Sequence, residues 1–311
     1  MNNILMEYGL VLALCCCGGT SIAVAADAPR LQIQDTVAIP PQSVNGIRIS
    51  ELSGLAWDQD EQLLYAISDQ GNIFHLRLQL EGQRIASVEA RFAAQLSDDK
   101  GVRIKSGRRD SEGLTLINAA NGKQGDTELV IAFEGEPRLI RFTPQGRAIK
   151  NITLPEVLRD KRAYQHGNHS LEAVTSHPRY GFISAPEMPL RGQPETLHSV
   201  YSTKGQQWSF NAYPAKNSAI SALETLPNGN LLILERAWSG ILNPLVVGLR
   251  YLDFQQCSQR NECPVVDLQV LSSHLLVDNY EGLTHIQGNQ YLMVSDDGAE
   301  ALLRTALTLF T

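Results

Sequence analysis

The 311-residue chain is short of charge, of cysteine and of long apolar runs. Charged residues make up 19%, the formal net charge is −7, and no run of basic residues exists. That leaves no footprint for nucleic acid or an anionic membrane surface. With 43% hydrophobic residues the chain has enough to bury a core, so disorder is excluded. Beyond the N-terminal segment no stretch reaches the roughly 20 apolar residues of a membrane span. The sequence has no G-x-S-x-G elbow, which disfavours an α/β-type serine hydrolase. It has no P-loop or dinucleotide fingerprint either. Long helical segments are missing; the stretch from Pro155 to Leu158 can start only a short helix.

Three of the five cysteines, Cys15, Cys16 and Cys17, lie near the N-terminus. Residues 9–26 are apolar and small and end in Ala23-Val24-Ala25, an A-x-A-like cleavage site followed by Asp27 and Pro29. Residues 1–25 therefore read as a signal peptide, and residues 26–311 as one exported domain, periplasmic or secreted. The n-region lacks Lys and Arg and carries Glu7, and Leu14-Cys15 faintly resembles a lipoprotein box, so a retained or lipid anchor is the alternative. The remaining Cys257 and Cys263 bracket a polar loop. A disulfide between them is expected in an oxidising compartment, with two free thiols as the alternative. Zinc needs more ligands than this loop offers.

One pattern recurs five times. Ser53-Gly54-Leu55 precedes the apolar run ending in Ser68-Asp69. Glu112-Gly113-Leu114 precedes the run ending in Phe133-Glu134, and Glu172-Ala173-Val174 the run ending in Pro186-Glu187. Ser221-Ala222-Leu223 and Leu234-Glu235 form the fourth copy, Glu281-Gly282-Leu283 and Ser295-Asp296 the fifth. The small residue recurs at 54, 113, 173, 222 and 282, one propeller blade each. Turn residues such as Asn121-Gly122 and Asn228-Gly229 separate the two strands of a pair. Weaker alternating segments follow, as in Leu139 to Phe142 and Ala148 to Ile152, giving four strands per unit. The fold expected is all-β: a propeller of four-stranded antiparallel blades, five in number with six as the alternative. The last copy runs out early, so the N-terminal strand from Leu31 to Val37 is expected to complete it and close the ring.

Antiparallel pairing puts the start of the first strand and the end of the second at one edge of each blade. Ring closure then gathers Glu112, Glu172, Glu281, Asp69, Glu134, Glu187, Glu235 and Asp296 at one mouth of the central channel. Arg108, Arg109, Arg138, Arg236, His166 and His169 lie nearby. Acids at strand ends also cap turns, and that is the alternative for any single position. Crowded carboxylates repel and call for a cation or paired arginine. A ring of hard oxygen donors suits Ca²⁺ or Mg²⁺. Arg109 and Arg236 are the candidate substrate contacts: adjacent arginines such as Arg108-Arg109 can grip a phosphate, or simply pair with the acids. The loop around His166 and His169 lacks standard ligand spacing and reads as surface.

These segments, with Asp110-Ser111-Glu112, Phe133-Glu134-Gly135-Glu136-Pro137-Arg138, Leu234-Glu235-Arg236 and Ser295-Asp296-Asp297, resemble the family called esterase-like activity of phytase, from about Leu52 onward. The resemblance implies an exported β-propeller that cleaves a phosphoric or carboxylic ester. It implies catalytic roles for Glu112, Glu134, Glu172, Glu281 and Arg138, and metal-binding roles for Asp69, Glu235 and Asp296. Pro186 departs from the pattern, so the third blade's strand is expected to end irregularly and aim Glu187 elsewhere. The expected cofactor is a divalent cation, calcium, and the expected partner a small-molecule ester or phosphoester acted on by a monomer. A non-catalytic propeller that binds a ligand or protein, or a structural calcium propeller, are the alternatives.

Overall fold

The computed structural model describes residues 30–165, 170–240, 243–273, 278–296 and 304–311. The expected signal peptide and His166 and His169 lie outside them. Strand β1 (Ile33–Ala38) is followed by a small ribbon of β2 (Ser43–Val44) and β3 (Ile47–Arg48). The first complete blade is β4 (Leu52–Asp58), β5 (Leu63–Ser68), β6 (Asn72–Glu81) and β7 (Arg84–Gln95). The second is β8 (Ser111–Ile117), β9 (Glu128–Phe133), β10 (Arg138–Phe142) and β11 (Ala148–Ile152). The single helical turn α1 (Glu156–Arg159) falls where the sequence allowed it.

The third blade is β12 (Leu171–His177), β13 (Gly181–Pro186), β14 (Leu197–Ser202) and β15 (Gln207–Asn211). The fourth is β16 (Ser218–Thr225), β17 (Leu231–Ala237), β18 (Leu245–Leu252) and β19 (Val265–Ser273). The last blade holds only β20 (Asn279–Gln287), β21 (Gln290–Asp296) and β22 (Ala306–Phe310), and β1 pairs antiparallel with β22 as its fourth strand. The chain is thus an all-β, five-bladed propeller closed by its N-terminal strand. Among the described residues no helix is long and apolar enough to cross a membrane.

The core lies between blades. Each of five apolar clusters joins one blade to the next, as where Ile67 and Ile73 of the first blade meet Leu129, Ile131 and Phe133 of the second. The second strand of every blade is buried on both faces, which is why it reads as an unbroken apolar run. Backbone-to-side-chain bonds tie the innermost strands around the ring. The N–H of Ser176 donates to Thr115 Oγ1 at 3.0 Å, that of Thr225 to Thr175 Oγ1 at 2.9 Å, and that of Trp57 to Thr284 Oγ1 at 3.0 Å. Glu224 takes the threonine's place in the fourth blade and accepts from His285 N at 3.0 Å. Burial pushes its carboxyl up to about 8.

The disulfide between Cys257 and Cys263 is formed. Its loop leaves the fourth blade and docks on the edge of the third: Ser209 N donates to Asn261 O at 2.9 Å, and Cys263 N to Ser209 O at 2.8 Å.

Candidate functional site

Every innermost strand carries a register shift at the same place. One extra residue sits between Leu52 and Gly54, between Leu171 and Ala173, between Ile220 and Ala222, and between Tyr280 and Gly282; the second blade shifts between Ser111 and Leu114. The extra residues are Ser53, Glu172, Ser221 and Glu281, with Glu112 at the matching place. A bulge leaves its residue out of the ladder and re-aims the side chain. Here it makes an inner ring of these five residues. The two serines close back on the backbone: Ser53 Oγ donates to Ser111 O at 2.5 Å, and Ser221 Oγ to Tyr280 O at 3.3 Å. The three glutamates remain to face the channel.

The small residues that follow make the ring narrow. Gly54, Gly113, Ala173, Ala222 and Gly282 bring the inner strands so close that a Cβ on Gly113 would stand 2.7 Å from the Glu172 carbonyl oxygen. The cavity at this level holds about 10 Å³, room for one water.

A second ring follows from the ladder. The second-strand residues paired with the position just before each bulge are Ser68, Phe133, Pro186, Glu235 and Ser295, opposite Leu52, Ser111, Leu171, Ile220 and Tyr280. The next position, toward the mouth, holds Asp69, Glu134, Glu187, Arg236 and Asp296. The fourth blade therefore presents Arg236, and Glu235 belongs one register step lower, on the opposite face. There Glu235 accepts from Arg250 Nη1 at 2.7 Å, Ser218 Oγ at 2.9 Å and Tyr213 N at 2.8 Å, and it is fully buried. A one-residue slip flips a side chain across a sheet, and the structure separates Glu235 from the acids for that reason.

Glu187 joins the site despite Pro186. Its N–H donates to Ser170 O at 2.9 Å, which carries the strand edge past the proline. Carboxylate oxygens of Glu134, Glu172 and Glu187 lie within 4.8 Å of one another, and so do those of Asp110, Glu112 and Glu134. Glu134 is common to both triads, and its Oε1 accepts the Ser170 N–H at 2.9 Å. Asp110 was not among the candidates, nor was Glu51, which stands beside Asp69. Both occupy the position two residues before the bulge, where Ser170, Ala219 and Asn279 stand in the other blades. The signal was the repeat itself, read two residues further upstream.

The arginines divide. Arg236 donates to Glu281 Oε1, to Asn279 Oδ1 at 2.9 Å and to Glu187 Oε1 at 3.2 Å, linking blades three, four and five. Burial opposes its charge, but Glu281, Glu172, Glu187 and Glu112 hold it protonated far above its usual range. Arg109 donates to Gln70 Oε1, next to Asp69. Arg138 turns away from the acids, lying 4.2 Å over the Phe133 ring and donating to Glu136 O at 2.9 Å and to Arg108 O. Burial, with Arg108 close by, lowers its guanidinium to about 10.

One arginine among so many carboxylates leaves negative charge that protons must carry in the absence of a cation. Burial and then Glu172, Glu281, Asp110 and Glu134 raise Glu112 well above the carboxylate range. Burial and Glu187 do the same to Glu172, against the pull of Arg236. Glu134 is pushed up to about 8 by burial and by Asp110 and Glu187, the Ser170 N–H acting the other way. Asp69 rises to about 7 through burial beside Glu51, Asp296 and Asp110, and its Oδ1 is buried without a hydrogen-bond partner. All-carboxylate triads of this reach, next to an orphaned carboxylate oxygen, fit a hard divalent cation.

A family model described as Phytase-like, "Esterase-like activity of phytase", matches residues 47–299. The chain belongs to that family. This phytase-like chain is a hydrolase-like β-propeller whose buried acidic cluster is able to hold a metal ion. A search of the curated proteins found no match. Among solved structures it is similar to one described as "Structure of Dos1 propeller", with 11% identity, a TM-score of 0.38, and coverage of 84% of this chain and 68% of that one. It is also similar to "Structure of U3-55K", with 8% identity, a TM-score of 0.41, and coverage of 90% and 98%. At such identities and TM-scores neither likeness bears on function.

Proposed function

We propose that this phytase-like propeller is exported and hydrolyses a phosphoric or carboxylic ester at the acidic mouth, using a divalent cation, calcium. The observation that carries the reading is Glu134, shared by two carboxylate triads. Asp110, Glu112 and Glu134 would hold the cation, with Glu172 and Glu187 within reach through Glu134. When bound, it polarises an ester oxygen and offsets charge developing on it.

The chain's own groups supply the rest. Asp69, at about 7, is poised to exchange protons near neutral pH. Its carboxylate takes a proton from the attacking water and returns it to the departing alkoxide, so the reaction ends with acid, alcohol and unchanged protein. Arg109, held beside Asp69 by Gln70, offers the substrate's anionic oxygen a guanidinium. Arg236 holds Glu187 and Glu281 in place through its ion pairs with both.

The test is turnover of a generic phosphomonoester, phosphodiester and carboxylic ester, with calcium and with a chelator, by wild type and Asp69→Asn. Calcium-dependent hydrolysis of one class, lowered about 10²–10⁴-fold in Asp69→Asn with calcium binding retained, is the expected result. Calcium that raises Tm while no class turns over would leave a structural calcium propeller in its place.

A further inference from the structure

Glu235 ends the fourth copy of the repeat as an acid, yet it lies outside the carboxylate ring, and the chemistry above gives it no task. Its fully buried carboxylate is the hub of a polar network. Oε1 accepts from Arg250 Nη1 of β18, and Oε2 from Ser218 Oγ of β16 and from Tyr213 N, just past β15. Arg250 donates further to Asn211 O at the end of β15, at 2.8 Å, and through Nε to Asp267 Oδ1 of β19, at 2.7 Å. The pair therefore ties all four strands of the fourth blade to the edge of the third. His198 Nε2 stands 3.7 Å from Glu235 Oε2, beyond hydrogen-bond reach. Burial lowers its pKa against the pull of Glu235, so it is neutral at pH 7. Among the described residues Arg250 is then the one charge that balances Glu235.

Glu235 pairs with Ile220, the last residue before the bulge at Ser221, and the next pair is Leu234 with Ala222. A bulge interrupts the ladder, so the bonds to β16 alone hold the register of β17 weakly at this point. A slip of one residue would turn Arg236 toward Arg250 and strip Glu235 of its partner, leaving buried charges unbalanced. Parting a buried ion pair is strongly unfavourable, and fixing register is the best-attested use of buried polar groups. Arg236, the next residue along β17, faces the other way. It needs this register to reach Glu187 of the third blade and Glu281 and Asn279 of the fifth. We propose that Glu235 and Arg250 are positioning residues for the carboxylate site: their pair pins β17 beside the bulge and so places the Arg236 guanidinium between Glu187 and Glu281. Any effect on turnover rests on the hydrolase reading, but the placement is measured without it.

The readout is the guanidinium NMR signal of Arg236 in a chelator, assigned by its absence from Arg236→Gln. In the wild type its protons exchange slowly with water. The main variant is Glu235→Gln combined with Arg250→Met, which removes both charges at once, leaves neither buried alone, and so keeps the fold. Protection of the Arg236 protons is expected to fall about tenfold in it, at a Tm close to that of the wild type. Arg250→Lys keeps a charge on Glu235 and retains most of the protection. In parallel, Arg236→Gln shifts the calcium Kd, and the paired variant shifts it in the same direction but adds nothing in the Arg236→Gln background. If no ester is turned over by the wild type while protection is lost as described, the hydrolase reading falls and the positioning role stands. If Arg236 is unprotected in the wild type, or keeps its protection in the folded paired variant, the positioning role is overturned whatever the turnover shows.

Discussion

Glu134 at the mouth of the second blade accepts the backbone N–H of Ser170, at the start of the third, at 2.9 Å. This bond fixes one carboxylate oxygen and leaves the group centred between Asp110 and Glu112 on one side and Glu172 and Glu187 on the other. Glu134→Gln keeps an oxygen for the Ser170 bond and removes the charge both triads share. Calcium affinity by calorimetry is expected to fall at least about tenfold, because affinity follows the charge of the ligand set. Tm in a chelator is expected to hold or rise, because like-charge repulsion is relieved. Undiminished calcium binding would remove Glu134 from the site.

The site also dictates an unusual pH dependence. Asp69 at about 7 and Glu134 at about 8, with Glu112 and Glu172 well above the ordinary range, bind protons in the folded state that the unfolded chain has already released. Their folded pKa values are raised, so their contribution is whole below the unfolded carboxylate range, about 4, and is lost as pH climbs through about 8. In a chelator, Tm is expected to drop between about pH 5.5 and about pH 8.5. Calcium replaces those protons, so its stabilisation is expected to grow over the same window. A chelated protein whose Tm is flat or rises with pH would contradict this.

Crowding at the axis makes Gly113 hard to replace. An added Cβ meets two backbone atoms of the third blade, the Glu172 oxygen and the Val174 nitrogen, each at 2.7 Å. Neither can swing aside without moving an inner strand. Gly113→Ala is expected to cost about 1–3 kcal/mol in denaturant unfolding. Ala222→Gly, the reverse change at the equivalent position, is expected to cost about 0.5–1 kcal/mol through backbone entropy. A neutral Gly113→Ala would mean the inner strands stand further apart than described.

The disulfide acts on a different part of the molecule. Closing the loop between Cys257 and Cys263 holds Asn261 and Cys263 against Ser209 of the third blade, far along the chain from the carboxylates. Replacing both cysteines by serine is expected to lower stability by about 2 kcal/mol, from the loop-closure entropy of a short loop. Calcium affinity is expected to stay unchanged. A shift in that affinity would mean that blades three and four transmit strain to the mouth.

Much of this architecture was written locally and five times over. Each apolar second strand, each small residue at the axis and each polar turn repeats the same local demand, so strand order within a blade follows from the pattern, and the structure decides for five blades over six. The N-terminal strand that pairs with β22 was legible as the one left without partners. Candidate acids were legible as a class, since Glu112, Glu134 and Glu172 recur at repeat positions and do meet. Glu187 was harder, because Pro186 masked a strand edge that a backbone bond from Ser170 sustains.

Composition and period alone pointed to a ring of four-stranded blades, five with six as the alternative, with acids at one edge, because burial on two faces and tight turns are requirements of each segment by itself. Tertiary pairing settled which of those acids share the mouth. Glu235 and Arg236 differ by one residue along β17 and by an entire sheet face in space. Only the ladder to β16, with its bulge at Ser221, puts the arginine in the ring and buries the glutamate against Arg250. Register is a property of two strands together, and one strand's sequence does not contain it.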